Sequence, residues 1–146
     1  MIHKITDCTD QFFSYLQDDP VRPHIPHDIR VGVNKDIFVI EDQGHPQAIT
    51  CVAYADYVPE DENELFDKTY QPRVAVFYTI WSYQSGAGRK LIFDVVEYIR
   101  QNLPNISRFV TLSPKTEMAR KFHIKNGAYQ LRENFNTINY EYRVQS

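Results

Sequence analysis

The stretch from Val74 to Lys90 limits the fold of this chain more than any other part. Val74 to Trp81 is apolar at nearly every position and rich in β-branched and aromatic residues. Such a run reads as a strand covered on both faces, hence central in a sheet. Tyr83-Gln84-Ser85-Gly86-Ala87-Gly88-Arg89-Lys90 follows. It leads into Leu91, Ile92, Val95, Val96 and Ile99, which recur at three- and four-residue steps and predict an amphipathic helix over Gly86 to Asn102. A strand, a Gly-containing turn and a helix N-terminus together make an anion site. The first-turn amides have no intrahelical acceptor, and the helix dipole favours negative charge there. Gly86 and Gly88 carry no Cβ, so a pyrophosphate can approach the main chain. Arg89 and Lys90 oppose the dipole unless an anion offsets them.

The flanking sequence fills out an α/β pattern. Ile2 to Thr6 reads as a short strand, and Asp10 to Gln17 as a helix with Phe12, Phe13 and Leu16 on one face. Pro20, Pro23 and Pro26 make the next stretch a loop. Ile37 to Glu41 and Ala48 to Val58 form a hairpin across the turn Asp42-Gln43-Gly44-His45-Pro46. Pro59 to Lys68 is acidic and exposed. Beyond Asn102, a strand spans Arg108 to Leu112. A second helix spans Lys115 to Lys125, with Met118 and Phe122 inward, and Asn126-Gly127 stops it. Ala128 to Arg132 and Ile138 to Val144 are further strands. The 146 residues suit a single domain, residues 1–146, with a mixed sheet of six or seven strands in one layer flanked by helices.

Composition narrows the function. A formal net charge of −3 gives no drive towards nucleic acid, and no apolar run approaches the ~18 residues of a membrane helix. Cys8 and Cys51 are the only cysteines, which suits reduced thiols rather than a disulfide framework or a zinc site. The N-terminus shows no long apolar stretch of a signal peptide, so a cytoplasmic location is expected.

With the element order and both motifs in place, the chain resembles the GNAT superfamily of N-acetyltransferases, which use acyl-CoA. That family has a long strand, then Arg/Gln-x-x-Gly-x-Gly/Ala opening a helix. A later helix carries Asn-x-x-Ala-x-x-(Phe/Leu)-Tyr and ends in Gly-Phe. Here the first motif falls on Tyr83 to Gly88, and the second on Thr116-Glu117-Met118-Ala119-Arg120-Lys121-Phe122-His123, ending in Asn126-Gly127-Ala128. Coarsely the likeness covers residues 37–144. It implies a splay between the strands ending near Trp81 and Ser113. Acyl-CoA, most simply acetyl-CoA, would lie in that splay as co-substrate, with no metal. Its pantetheine would pair with the backbone of Tyr78, Thr79 and Ile80. Its pyrophosphate would sit on Gln84, Ser85, Gly86, Ala87, Gly88 and Arg89, with Lys90 beside them. The chain departs from the family pattern at Tyr83, where Arg or Gln is usual, at Thr116, where Asn is usual, and at His123, where a Tyr commonly protonates the leaving thiolate.

The resemblance implies acyl transfer to an amine by direct attack on the thioester, with a small-molecule or peptide amine as acceptor. His123 is the candidate acid, since an imidazole titrates near neutrality. Ser113 is placed to hydrogen-bond acceptor or cofactor, and Thr116 takes part in cofactor binding. The replaced Tyr motivates the alternative of a non-catalytic acyl-CoA-binding sensor. Glu60, Asp61, Glu62 and Glu64 read as a solvated run or as attraction for a cationic acceptor, and Glu41, Asp56 and Glu117 are further candidate bases. His24 and His27 lack a third ligand at a set spacing and read as loop residues beside the acceptor site. A homodimer is compatible with the sequence.

Overall fold

The computed structural model describes residues 2–144. Its strands are β1 (Ile2–Ile5), β2 (Lys35–Asp42), β3 (His45–Ala55), β4 (Val74–Ser82), β5 (Arg108–Thr111), β6 (Ser113–Pro114), β7 (Ala128–Glu133) and β8 (Thr137–Tyr142). Two α-helices, α1 (Ala87–Asn102) and α2 (Glu117–Lys125), complete the α/β domain. The eight strands make one sheet in the order β1-β2-β3-β4-β5-β8-β6, with β7 on β8. This is one strand more than the upper expectation, because Ser113–Pro114 forms a two-residue strand against Thr137 and Ile138, too short to leave a pattern.

The first expected helix is instead a 3-10 segment, Phe13–Asp18. Its backbone closes by three-residue steps: Phe13 N donates to Asp10 O and Asp19 N to Leu16 O. Asp10 also takes the Phe12 amide with its own carboxylate, at 2.9 Å, diverting a donor that an α-helix would use. Pro20 bars extension on the other side. The β2–β3 turn tightens to Gln43 and Gly44, both at positive φ. The third strand therefore starts earlier than expected, at His45, and ends at Ala55.

β4 lies inside the sheet, as its apolar run demands. Val74, Val76, Tyr78 and Trp81 face a core built with Phe12, Leu16, Ile25 and Leu65. Ala75 and Phe77 face the second core, under Leu91, Ile92, Val95 and Ile99 of α1. The strict alternation breaks at Tyr78. Cys51 pairs with Thr79 but Val52 with Phe77, so Tyr78 is an extra residue in a β-bulge.

That bulge matters for what happens next to β5. β4 and β5 run parallel and pair only from Val74–Arg108 to Phe77–Thr111. The Leu112 amide still reaches Phe77 O at 3.1 Å. Beyond it β4 continues along β3 to Ser82, while the chain after β5 turns to β8. The two strands diverge, and the opening points towards the N-terminus of α1.

Candidate functional site

The opening is framed at one end by the Gly turn. Gly86 caps α1 at φ 82°, a left-handed conformation that other residues adopt at a cost. A Cβ on Gly86 would meet nothing within 4 Å, so the space above it is open. Gly88 has a different reason to be glycine. A Cβ there would sit 3.2 Å from the Phe122 ring of α2, so Gly88 serves the close approach of the two helices. Gln84, Ser85, Gly86 and Arg89 are exposed, Ala87 is half-buried and Gly88 is buried. Arg89 lies sideways, donating to Asn126 Oδ1 at 3.2 Å with its guanidinium over the Phe93 ring. Lys90 pairs with Asp94 at 2.9 Å. Tyr83 faces away from the turn: its hydroxyl donates to Asp18 at 2.7 Å and accepts from Trp81 Nε1. It pins the 3-10 segment to the strand end.

At the other end, where β4 and β5 part, the backbone is already engaged. The Tyr78 carbonyl accepts from Arg22 Nε at 2.9 Å, and Leu112 O accepts from Arg22 Nη2 at 2.8 Å. The Thr79 carbonyl is held on the β3 side by Thr50 Oγ1. Thr79 Oγ1 donates to Asp19. Ile80 pairs with Thr50 and sends a half-buried side chain towards α1. Arg22 is itself fixed from behind. Asp19 accepts from the amides of Val21 and Arg22 and pairs with Arg30, whose side chain is fully buried. Those donors hold the Asp19 carboxyl below its ordinary range despite its burial, which acts the other way.

His123 sits on α2, turned into the protein and 4% exposed. Its ring stacks on Tyr140, centroids 5.2 Å apart, and its Nδ1 lies 2.7 Å from the Tyr142 hydroxyl. Nε2 makes no hydrogen bond among the described residues. Burial pushes the imidazole down to about 4, so the ring is neutral at pH 7. Burial pushes the Tyr142 phenol up, which keeps it protonated. Tyr140 is fully buried and its hydroxyl has no partner among the described residues, an uncommon state for a phenol in a core.

Ser113, expected to hydrogen-bond acceptor or cofactor, is buried and its hydroxyl donates to Thr111 Oγ1 at 2.8 Å. Thr111 in turn accepts from the Tyr140 amide, and its carbonyl accepts from Asn139. Thr116 caps α2, accepting from the Ala119 amide. Met118 is 83% exposed, not inward as expected. The inward face of α2 carries Phe122, His123 and Asn126, and two polar side chains there hid its orientation from an apolar-stripe reading. Among the described residues no three His, Cys, Asp or Glu converge as metal ligands. No helix among them is long and apolar enough to cross a membrane.

The structure thus brings the first turn of α1 and the helix of His123 together, through Gly88 and Phe122. Sequence reasoning missed Arg22, Tyr140 and Tyr142. The tyrosines look like ordinary alternation in a strand. Arg22 lies in a Pro-rich loop with no periodic signal.

Comparison with known proteins defines the family. The profile of the malonyl-CoA decarboxylase C-terminal domain matches residues 43–141. Among solved structures, malonyl-CoA decarboxylase from Rhodopseudomonas palustris superposes with a TM-score of 0.76 at 20% identity, covering 97% of this chain and 59% of that one. The Agrobacterium vitis malonyl-CoA decarboxylase gives 0.68 at 24% identity, covering 84% of this chain and 35% of that one. A GNAT family acetyltransferase from Elizabethkingia anophelis with acetyl-CoA bound gives 0.65 at 13% identity, covering 99% and 97%. At these identities the likeness shows the fold, which is GNAT-like as expected. The chain spans well under two thirds of the length of these decarboxylases. No curated protein matches the sequence. The expectation of acyl transfer to an amine, with a non-catalytic sensor as its alternative, is overturned by the profile match and by the decarboxylase structures. The two motifs report a shared GNAT-like fold rather than acyl-transfer chemistry. The match spans more than half of the chain and takes in both the Gly turn and His123, so the chain belongs to the malonyl-CoA decarboxylase C-terminal domain family.

Proposed function

We propose that this chain binds a malonyl-type CoA thioester and promotes its decarboxylation to the acetyl thioester. The observation that carries this reading is the family match over residues 43–141, which includes the turn and the histidine. The pyrophosphate lies on the amides of Gln84 to Arg89, at the open side of Gly86, and the pantetheine follows β4 past Ile80. That a protein of the same fold binds acetyl-CoA supports a CoA thioester as the ligand. Tyr78 and Thr79 shape the inner end of the path rather than pairing with the substrate through their carbonyls, which are engaged by Arg22 and Thr50. Thr116 acts through α2, which it caps, and Ser113 holds Thr111 beside Tyr140.

In the reaction the bond between Cα and the carboxyl carbon breaks. Its electron pair moves onto Cα and into the thioester carbonyl, CO₂ leaves, and a proton then joins Cα. The barrier falls when a donor meets the negative charge growing on the thioester oxygen. His123 is suited to be that donor. With the Tyr142 hydroxyl 2.7 Å away as donor to Nδ1, the imidazole proton would sit on Nε2, and burial keeps the ring neutral. A neutral ring with its pKa near 4 polarises a carbonyl without being consumed as an acid. The partnerless Tyr140 hydroxyl is the second donor beside it.

The test is incubation of the protein with malonyl-CoA, following acetyl-CoA and CO₂ by mass spectrometry. Formation of both in equal amounts is expected. His123→Gln should lower kcat by about 10²–10³-fold, as removal of an oxyanion donor does. Acetyl-CoA at no more than the protein-free rate would sink the reading.

A further inference from the structure

We propose that Arg22 is the receptor for the free carboxylate of the acyl group, and that Glu62 occupies this receptor when no acyl group is there. The inference rests on the acyl-CoA reading above and names the residue that recognises the acyl end. Arg22 stands at the root of the opening. It donates to Tyr78 O and to Leu112 O, one carbonyl from each diverging strand. A guanidinium carries five N–H donors in a planar fork that matches a carboxylate. Two of its nitrogens are used on the strands, and Nη1 donates to Glu62 Oε1 at 2.7 Å.

Glu62 differs in kind from these partners. It comes from a short exposed turn, Glu62–Glu64, and its side chain is 32% exposed while that of Arg22 is 9% exposed. Its other oxygen meets His24, which is largely in water. The pair lines an open cavity of about 340 Å³ together with Asp61, Asn63, Pro114, Asn136 and Thr137, roomy enough for a short acyl chain, with the Asp61 carboxylate at its wall as well. The carboxylate of Glu62 is therefore held at a prepared cation by a short surface segment, in a cavity that shares Arg22 with the strand opening. The carbonyls of Tyr78 and Leu112 hold the guanidinium, and Asp19 accepts from the Arg22 backbone amide, so Arg22 retains its aim when Glu62 swings away. A ligand carboxylate then exchanges for Glu62 with no net change of charge at Arg22. An uncharged acyl group has nothing to exchange.

Two inert thioethers separate this from simple CoA binding: S-(2-carboxyethyl)-CoA, which places a carboxylate at the malonyl distance, and S-propyl-CoA, which lacks it. Calorimetry with the whole chain should show the carboxylated ligand binding about tenfold tighter, one charge-assisted bond's worth. Glu62→Gln removes the internal competitor and should widen that ratio several-fold, leaving S-propyl-CoA unchanged. Arg22→Lys should bring the ratio close to one. Glu62→Gln lies on the surface turn and keeps the test sharp if the Arg22 variant does not fold. Equal affinity for both ligands in the wild type, or a ratio that Glu62→Gln does not widen, overturns the proposal while CoA binding itself stands. Failure of both ligands to bind overturns the CoA reading and the carboxylate receptor with it.

Discussion

Single side chains set the acid sensitivity of this protein. His123 is ordinary when unfolded, titrating near 6.5, and is pushed down to about 4 by burial in the fold. The unfolded chain therefore takes up a proton between these values and the folded chain does not. The resulting stability is complete above pH 6.5 and is lost as the pH falls towards 4, by about 3 kcal/mol in all. Urea titrations across that range should show this slope in the wild type and its disappearance in His123→Leu. A stability that stays level between pH 6.5 and 4 in the wild type would count against a buried neutral imidazole. Below that window Asp19 and Glu141 take over, since their partners hold both carboxyls below their ordinary range. Arg30 is the counterpart of Asp19 in the interior. Arg30→Met leaves that carboxylate buried and unpaired and should cost about 3–5 kcal/mol in equilibrium unfolding. A loss under 1 kcal/mol would mean that Asp19 finds compensation elsewhere.

Among the elements, the two helices and the turn between strand and helix act as one unit. Gly88 lets α1 meet α2, and the Phe122 ring fills the space that a methyl would take. Gly88→Ala should destabilise the protein by about 1–3 kcal/mol through overpacking, and adding Phe122→Leu should restore part of it. Thermal melts of the single and double variants decide this, and additive losses would show that the contact is not shared. Much of this level was legible beforehand. β4, α1, their Gly turn and the β2–β3 hairpin follow from strong apolar patterns and turn residues. Phe13–Asp18 was not, because aspartate side chains compete locally for the amides that an α-helix needs. The orientation of α2 was misread at Met118, since its buried face holds His123 and Asn126. Of the site, the turn and His123 were visible as motifs, whereas Arg22 meets Glu62 across forty residues of sequence and leaves no local trace.

At the scale of the whole molecule, the opening between β4 and β5 is a place where the sheet forgoes pairing. A CoA thioester at 100 times its Kd should stabilise the protein by about 2.7 kcal/mol. For a domain of this size that is a rise in Tm of roughly 5–10 °C. An unchanged Tm at millimolar CoA would argue that the opening takes no such ligand. The sheet also has a hub. β8 borders β5, β6 and β7 and carries Asn139, Tyr140 and Tyr142, so it closes the sheet and flanks His123 at once. Synthesis on the ribosome runs from the N-terminus, and β8 follows all seven other strands of this sheet in the chain. Until it emerges the Gly turn and the helix of His123 exist beside an unpaired edge of Phe109 and Val110, the kind of edge that invites wrong partners. The histidine gains its tyrosine neighbours in the same event that seals that edge, so a nascent chain becomes safe from misassociation and acquires its candidate chemistry in a single step.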